Sequence, residues 1–311
     1  METNQQIKIG LAFASVYIIW GSTYLAILIG LKSIPPFLMT SLRFLLAGLF
    51  LFIWRLSKGD RLPSRLSIQQ NGLIGILTLF CGVGSVGWAE QYLPSGIAAI
   101  IVTAVPFWFV LFDRKQWSFY FANKMILGGL IFGFAGVGLL VAMTRSATGQ
   151  TSDHGHQLFA TLLIMAGGIA WTTGSLYSKY HLKGDSILMN GSLQFLLAGL
   201  FSAMVSFLLG EWKHFNPQAI ILESWLALFY LITMGSLVAY LSYLWLLKKK
   251  PAAQVSTYVY VNPVIAVLLG AALANEKIIM MQVIALGVIL CGVLMVNLPK
   301  YRKQPEGEKP I

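Results

Sequence analysis

The ten residues Ser41–Phe50 (SLRFLLAGLF) return at Ser192–Phe201 (SLQFLLAGLF) with a single change, Arg43 against Gln194, at a spacing of 151. The same spacing lays Trp20 on Trp171, and a later spacing of 157 lays Trp88 on Trp245, Pro94 on Pro251 and Pro106 on Pro263. One unit is therefore written twice, with about six extra residues somewhere between the decamer and the Trp88 block of the second copy. A repeated unit has to be solved twice by the same fold, and the copies have to be accommodated against each other. Each copy contains an odd number of membrane-length segments, so the second is expected to cross the bilayer upside down relative to the first.

The bilayer enters through composition. Of 311 residues, 57% are hydrophobic and 11% charged, and the mean hydropathy is +0.74. Soluble chains carry roughly 25% charged residues, so water is the wrong solvent for most of this surface. The net charge of +11 lies in short clusters between apolar runs and forms no extended basic face, which excludes nucleic acid as a partner. Cys81 and Cys291 lie inside apolar runs and read as small buried hydrophobes, with no disulfide framework. The run from Ile9 to Leu31 exceeds the roughly 7–15 residue core of a signal peptide and carries one of the repeated tryptophans. It is expected to stay as the first membrane helix.

A helix needs about 20 apolar residues to cross a hydrocarbon core of roughly 30 Å. Runs of that length fall near 9–31, 36–54, 68–89, 93–112, 125–144, 157–178, 186–209, 224–247, 251–273 and 278–298. None alternates apolar and polar residues as a transmembrane strand does. The expectation is an all-α integral membrane protein of ten transmembrane helices, arranged as two inverted five-helix repeats over 9–144 and 157–298, with a cytoplasmic tail over 299–311. If the N-terminus is cytoplasmic, 17 of the 22 basic residues fall on the inner side and four on the outer (Lys32, Arg145, Lys213, Lys277), with Arg43 in the membrane. That bias predicts both termini inside. Short loops leave no room for a soluble domain. The loop 144–156 reads as the linker between copies, and its His154 and His156, lacking a third ligand nearby, read as solvated; His181 and His214 are isolated.

The residues Trp20-Gly-Ser-Thr, Ser41-Leu-Arg43-Phe-Leu-Leu-Ala, and Ala89-Glu-Gln91 running into Pro94-Ser-Gly-Ile-Ala resemble the EamA family of the drug/metabolite transporter superfamily. Pro106, Asn262-Pro263, and Glu276 ahead of Gly287 and Gly292 extend the resemblance across essentially 9–298. The resemblance implies a ten-helix basket around a central cavity walled by spans 1, 3, 4, 6, 8 and 9. Its members move amino acids, nucleotide-type metabolites and drugs. Gln194 in place of a second arginine makes the halves electrically unequal, which weakens any symmetry argument about ion binding.

Arg43 is the most constrained residue. An arginine at a helix centre costs roughly 2.5–3.5 kcal/mol on insertion scales, so it has to face the bundle interior, water or a partner. It is either an anchor for an anionic group or a structural link to carbonyls or to Glu90. Glu90, at the outer edge of the third span, is the candidate for carrying a coupling proton, or a solvated helix-end charge. Glu276 reads as a helix cap. Polar and aromatic stripes point inward in a membrane bundle. Tyr17, Trp20 and Tyr24 form one such face, Trp171, Ser175 and Ser178 another, and Tyr240 with Tyr243, then Gln254, Tyr258 and Asn262, two more. The expected substrate cavity comprises Trp20, Tyr24, Arg43, Trp88, Thr103, Pro106, Trp171, Ser175, Tyr240, Tyr243, Tyr258, Asn262 and Pro263. Pro106 and Pro263 interrupt equivalent helices, as paired breaks at a transport site do, or simply bend them.

Glycines at 128, 129, 133, 136, 138, 287 and 292 suit close helix packing, including a homodimer contact. The chain has no phosphate-binding loop for direct ATP drive, no catalytic constellation of an enzyme, and no implied cofactor or metal. The expectation is a secondary transporter of the inner (plasma) membrane, exporting small organic solutes such as amino acids by alternating access. Broad drug efflux and a non-transporting sensor or scaffold are the alternatives.

Overall fold

The computed structural model of the chain describes residues 2–121, 154–182 and 186–250, most of 124–136, and short stretches between 252 and 295. Among them, seven helices are long and apolar enough to cross a membrane, and no strand occurs. They are α1 (Glu2–Gly30), α2 (Pro36–Ser57), α3 (Arg65–Ala89), a fourth span made of α4 (Ser95–Val102) and α5 (Val105–Phe112), α6 (His154–His181), α7 (Ile187–Leu208) and α8 (Leu222–Lys249). These match the expected spans one to four and six to eight. The expected fifth, ninth and tenth spans fall wholly or partly outside the described residues, as do Pro263, Glu276, Gly133 and Gly138.

The two decamers meet. Phe44 stacks on its own repeat mate Phe195, with ring centroids 5.8 Å apart and planes 18° apart. A Cβ on Gly48 would lie 2.8 Å from the backbone nitrogen of Leu196, and one on Gly199 would lie 2.8 Å from that of Leu45. The glycine contacts are reciprocal: each glycine admits the backbone of the other copy, and from Leu45 facing Gly199 to Gly48 facing Leu196 the contact descends α7 as it ascends α2. Such reciprocity is the mark of a two-fold relation between the contacting surfaces.

The ends of these helices repeat as well. Gly59 (φ 89°) and Gly210 (φ 75°), 151 apart, take the left-handed conformation that only glycine adopts cheaply. Each is followed by a carboxylate. Arg55 donates to Asp60 (2.6 and 2.9 Å), and the equivalent Ser206 donates to Glu211 (2.7 Å). Each carboxylate then reaches the start of the other copy's helix. Glu211 accepts from the backbone N–H groups of Phe37 (3.3 Å) and Leu38 (2.8 Å), capping α2 where Pro35 cannot. Asp60 accepts from Ser186 Oγ (3.2 Å), itself the cap of α7 through Met189 N (3.1 Å).

Beyond these residues the spacing changes. α3 begins at Arg65 and α8 at Leu222, 157 apart, so the six extra residues lie in the connection 212–221, against 61–64 in the first copy. They form the short 3₁₀ turns Glu211–His214 and Pro217–Ala219. Leu46, Leu49, Phe50 and Ile53 on α2, with Leu200, Met204, Phe207 and Leu208 on α7, are exposed. They form an apolar outer surface suited to lipid.

Candidate functional site

The middles of α3 and α8 depart from α-helical winding. Ile76–Val83 and Leu231–Tyr240 are π-helical, and 157-residue spacing superposes the first on the last eight residues of the second. A π segment widens the helix and redirects side chains, and such segments collect at functional sites. The one in α8 gathers two key residues. Arg43 Nε donates to Ser236 Oγ (2.9 Å), Ser236 Oγ donates to Leu231 O (3.1 Å), and Trp20 Nε1 donates to Gly235 O (3.2 Å). Gly235 leaves room there: a Cβ would lie 2.8 Å from an Arg43 terminal nitrogen, which would have to shift.

Arg43 and Trp20 border a chamber enclosing about 630 Å³ of empty space, open solvent included. α1 contributes Trp20, Thr23, Tyr24 and Ile27, α2 contributes Arg43, and α3 contributes Gly82, Val83 and Val86. The fourth span adds Val102 and Val105, α6 adds Ile164, Gly167, Gly168 and Trp171, and Tyr258 and Asn262 complete the wall. Gly167 lets α6 approach α3, since a Cβ there would collide with Ser85 Oγ and the Cys81 carbonyl. Among the described lining residues, Arg43 is the one with a formal charge. Its guanidinium also lies over the Phe44 ring, 5.0 Å from the centroid.

One end of the chamber is closed by aromatic side chains. The repeat mates Trp20 and Trp171 meet edge to face at 5.4 Å. Trp20 also contacts Tyr258 (4.8 Å) and Tyr243 (5.1 Å), and the Tyr243 hydroxyl donates to Ser175 Oγ (2.7 Å). Beyond this floor runs a buried polar chain through α3, α7 and α8. Tyr240 OH donates to Gln194 Oε1 (2.7 Å), Gln194 Nε2 to Asn71 Oδ1 (2.8 Å), and Asn71 Nδ2 to Asn190 Oδ1 (2.9 Å). Thr78 joins it through the Tyr240 hydroxyl (3.1 Å).

Trp20, Tyr24, Trp171, Tyr258 and Asn262, read from helical stripes, and Arg43, read from its charge, line the chamber. Tyr240, Tyr243 and Ser175 lie in or behind its floor. The Asn262 amide lies 3.0 Å from the carbonyls of Tyr17 and Tyr258, to which its nitrogen would donate with the amide turned toward them. Three expectations land elsewhere. Trp88 packs on Tyr92 (4.8 Å) and Phe159 (5.3 Å). Thr103 and Pro106 sit at the break between α4 and α5, where Thr103 Oγ1 turns back onto Ile100 O and Pro106 opens α5. The break itself is real: Val102 and Val105, flanking it, are the lining residues.

The two structural readings of the acidic and basic pair also change. Glu90 is 3% exposed, so it is not a solvated end charge. It is absent from the chamber wall. Among the described residues the ion pair found is Arg55–Asp60, not Arg43–Glu90. Thr23, Ser236 and the Gly167-Gly168 pair were missed by sequence reasoning, though a double glycine inside a span is a usable sign of close helix approach.

A family model described as the EamA-like transporter family matches residues 7–142 and 158–298. The inner membrane transporter YedA of Escherichia coli K12 is 36% identical over 302 residues, covering 97% of this chain and 94% of the relative. The transporter YoaV of Bacillus subtilis is 25% identical, covering 93% and 96%, and the protein PagO of Salmonella typhimurium is 28% identical, covering 95% and 96%. A crystal structure of a protein 21% identical in sequence superposes with a TM-score of 0.65 over 96% of this chain and 99% of that one. That likeness concerns the fold.

Proposed function

The chain belongs to the EamA-like transporter family of the drug/metabolite transporter superfamily, and from that premise we propose that it is a secondary transporter exporting small organic solutes such as amino acids through the central chamber. It is a multi-pass protein of the inner membrane by its helices and its relatives. The proposed architecture has ten helices in two inverted five-helix units over 9–144 and 157–298, with both termini cytoplasmic. Transport is not enzymatic in this reading.

One observation carries it. Residues 151 apart meet each other at the chamber floor and in the α2–α7 core, as Trp20 with Trp171 and Phe44 with Phe195. Contacts that descend one decamer helix while ascending the other support an antiparallel relation of the copies, which is what inversion requires. With the positive-inside orientation, the chamber lies in the outer half, and the aromatic floor and the Asn71–Gln194–Tyr240 chain lie below it. This is an outward-facing arrangement. Alternating access then consists of parting that lower closure while the equivalent upper contacts come together. Glu90 and the glycine-rich spans keep their proposed roles, a coupling proton and a homodimer contact.

The test is counterflow in proteoliposomes across a panel of amino acids and drugs. Saturable exchange of at least one amino acid supports the reading, and exchange confined to apolar drugs supports the efflux alternative, which the mostly apolar chamber wall favours. Folded protein that exchanges nothing in the panel counts against both and leaves the sensor or scaffold.

A further inference from the structure

Arg43 and Gln194 occupy equivalent positions in the two decamers, and the structure treats them differently. Gln194 is consumed: its amide donates to Asn71 and accepts from Tyr240, within a buried chain. Arg43 uses one of its five N–H groups, Nε, on Ser236. No hydrogen bond from its terminal nitrogens is found among the described residues, and no carboxylate is among the residues that share the chamber wall with it. A neutral amide thus satisfies the same place in the packing of the second copy. The charge at 43 is not needed to join α2 to α7.

The guanidinium is nevertheless held in one orientation. Ser236 is committed as a donor to Leu231 O, so its oxygen faces Nε as an acceptor. Phe44 supports one face, and the missing side chain of Gly235 leaves room for the terminal nitrogens. A fixed planar fork with free donors matches a carboxylate. Around it the wall is aromatic and branched apolar, from Trp20, Tyr24, Tyr258 and the valines. That wall favours an apolar body and offers an amine no described anionic partner.

We propose that Arg43 is the specificity-determining residue of the chamber, selecting solutes that present a carboxylate on an aromatic or branched apolar body, with no ammonium group required. This rests on the reading of the chamber as the cargo site. It goes further by making charge, not the amino-acid backbone, the feature recognised.

The experiment is equilibrium binding to the purified full chain, followed by tryptophan fluorescence and calorimetry. The probes are 3-phenylpropionate, L-phenylalanine, L-phenylalaninamide and phenethylamine. Wild type is expected to bind both acids at least tenfold more tightly than the amide or the amine. Arg43→Gln, which copies the second decamer, is expected to lose at least tenfold for the acids while changing little for the amide. Arg43→Lys should keep a reduced preference for acids. Equal binding of acid and amide by wild type overturns the proposal, as does the absence of saturable binding by any probe, or an acid preference that survives in Arg43→Gln. The wild-type comparison and Arg43→Lys decide the matter even if Arg43→Gln does not fold. Binding is read apart from flux, so selective binding without exchange would overturn the transport reading and leave this one standing.

Discussion

At the scale of single residues, the two loop carboxylates carry the clearest consequences. Glu211 satisfies two backbone N–H groups at the start of α2, and a lost cap costs about 1 kcal/mol, somewhat more when the acceptor is charged. Glu211→Ala should lower the melting temperature of the purified protein, and Glu211→Gln, which keeps an acceptor oxygen, should lower it less. Asp60 behaves differently with pH. Its carboxyl is held below the usual carboxylate range chiefly by the hydrogen bond from Arg55, and further by Ser186. A depressed folded-state value stabilises above the unfolded value of about 3.9 and is lost as pH falls toward the folded one. The difference in melting temperature between wild type and Asp60→Asn should therefore be constant from pH 7 to about 5, and shrink below roughly 4. Because the pair is only half-buried, the effect should also diminish in high salt.

At the scale of elements, the α2–α7 contact is limited by two glycines that see the other copy's backbone. Adding a methyl there forces the helices apart, an overpacking that costs about 1–3 kcal/mol. Gly48→Ala and Gly199→Ala should each lower the melting temperature. The double variant should lose less than the two losses added together, because the first methyl already opens the gap the second needs. This contact was half visible beforehand. The decamer declared two equivalent helices; helical spacing put Trp20, Tyr24, Trp171, Tyr258 and Asn262 on inward faces, the charge of Arg43 put it there too, and all six border the chamber. Helical spacing assigns residues to a face without saying which neighbour the face meets, and Trp88, expected in the chamber without such a face, packs on Tyr92 and Phe159. The π-helical middles of α3 and α8 were invisible for another reason. They arise from a shift in hydrogen-bond partner by one residue, which leaves no trace in composition. Asp60 and Glu211 drew no reading from the sequence, because their meaning lies in the helix starts they reach across the repeat.

For the whole molecule, the polar chain below the aromatic floor makes the proposed motion testable. In a background with Cys81 and Cys291 replaced by serine, cysteines at positions 71 and 194, joined by a short bifunctional thiol reagent, should abolish counterflow, and a cleavable reagent should restore it on reduction. The corresponding single-cysteine proteins should be unaffected by the reagent. Flux that persists in the joined protein would mean that α3 and α7 do not separate at that level during the cycle. The duplication also explains something about its own survival. Since Phe44 lies on Phe195 and each of the paired glycines receives the other helix of the pair, each decamer is the mould of its twin. A change in one spoils the fit of both, so drift is checked there while the flanking helices diverge. The exception, an arginine facing a glutamine, is where the halves had reason to part company.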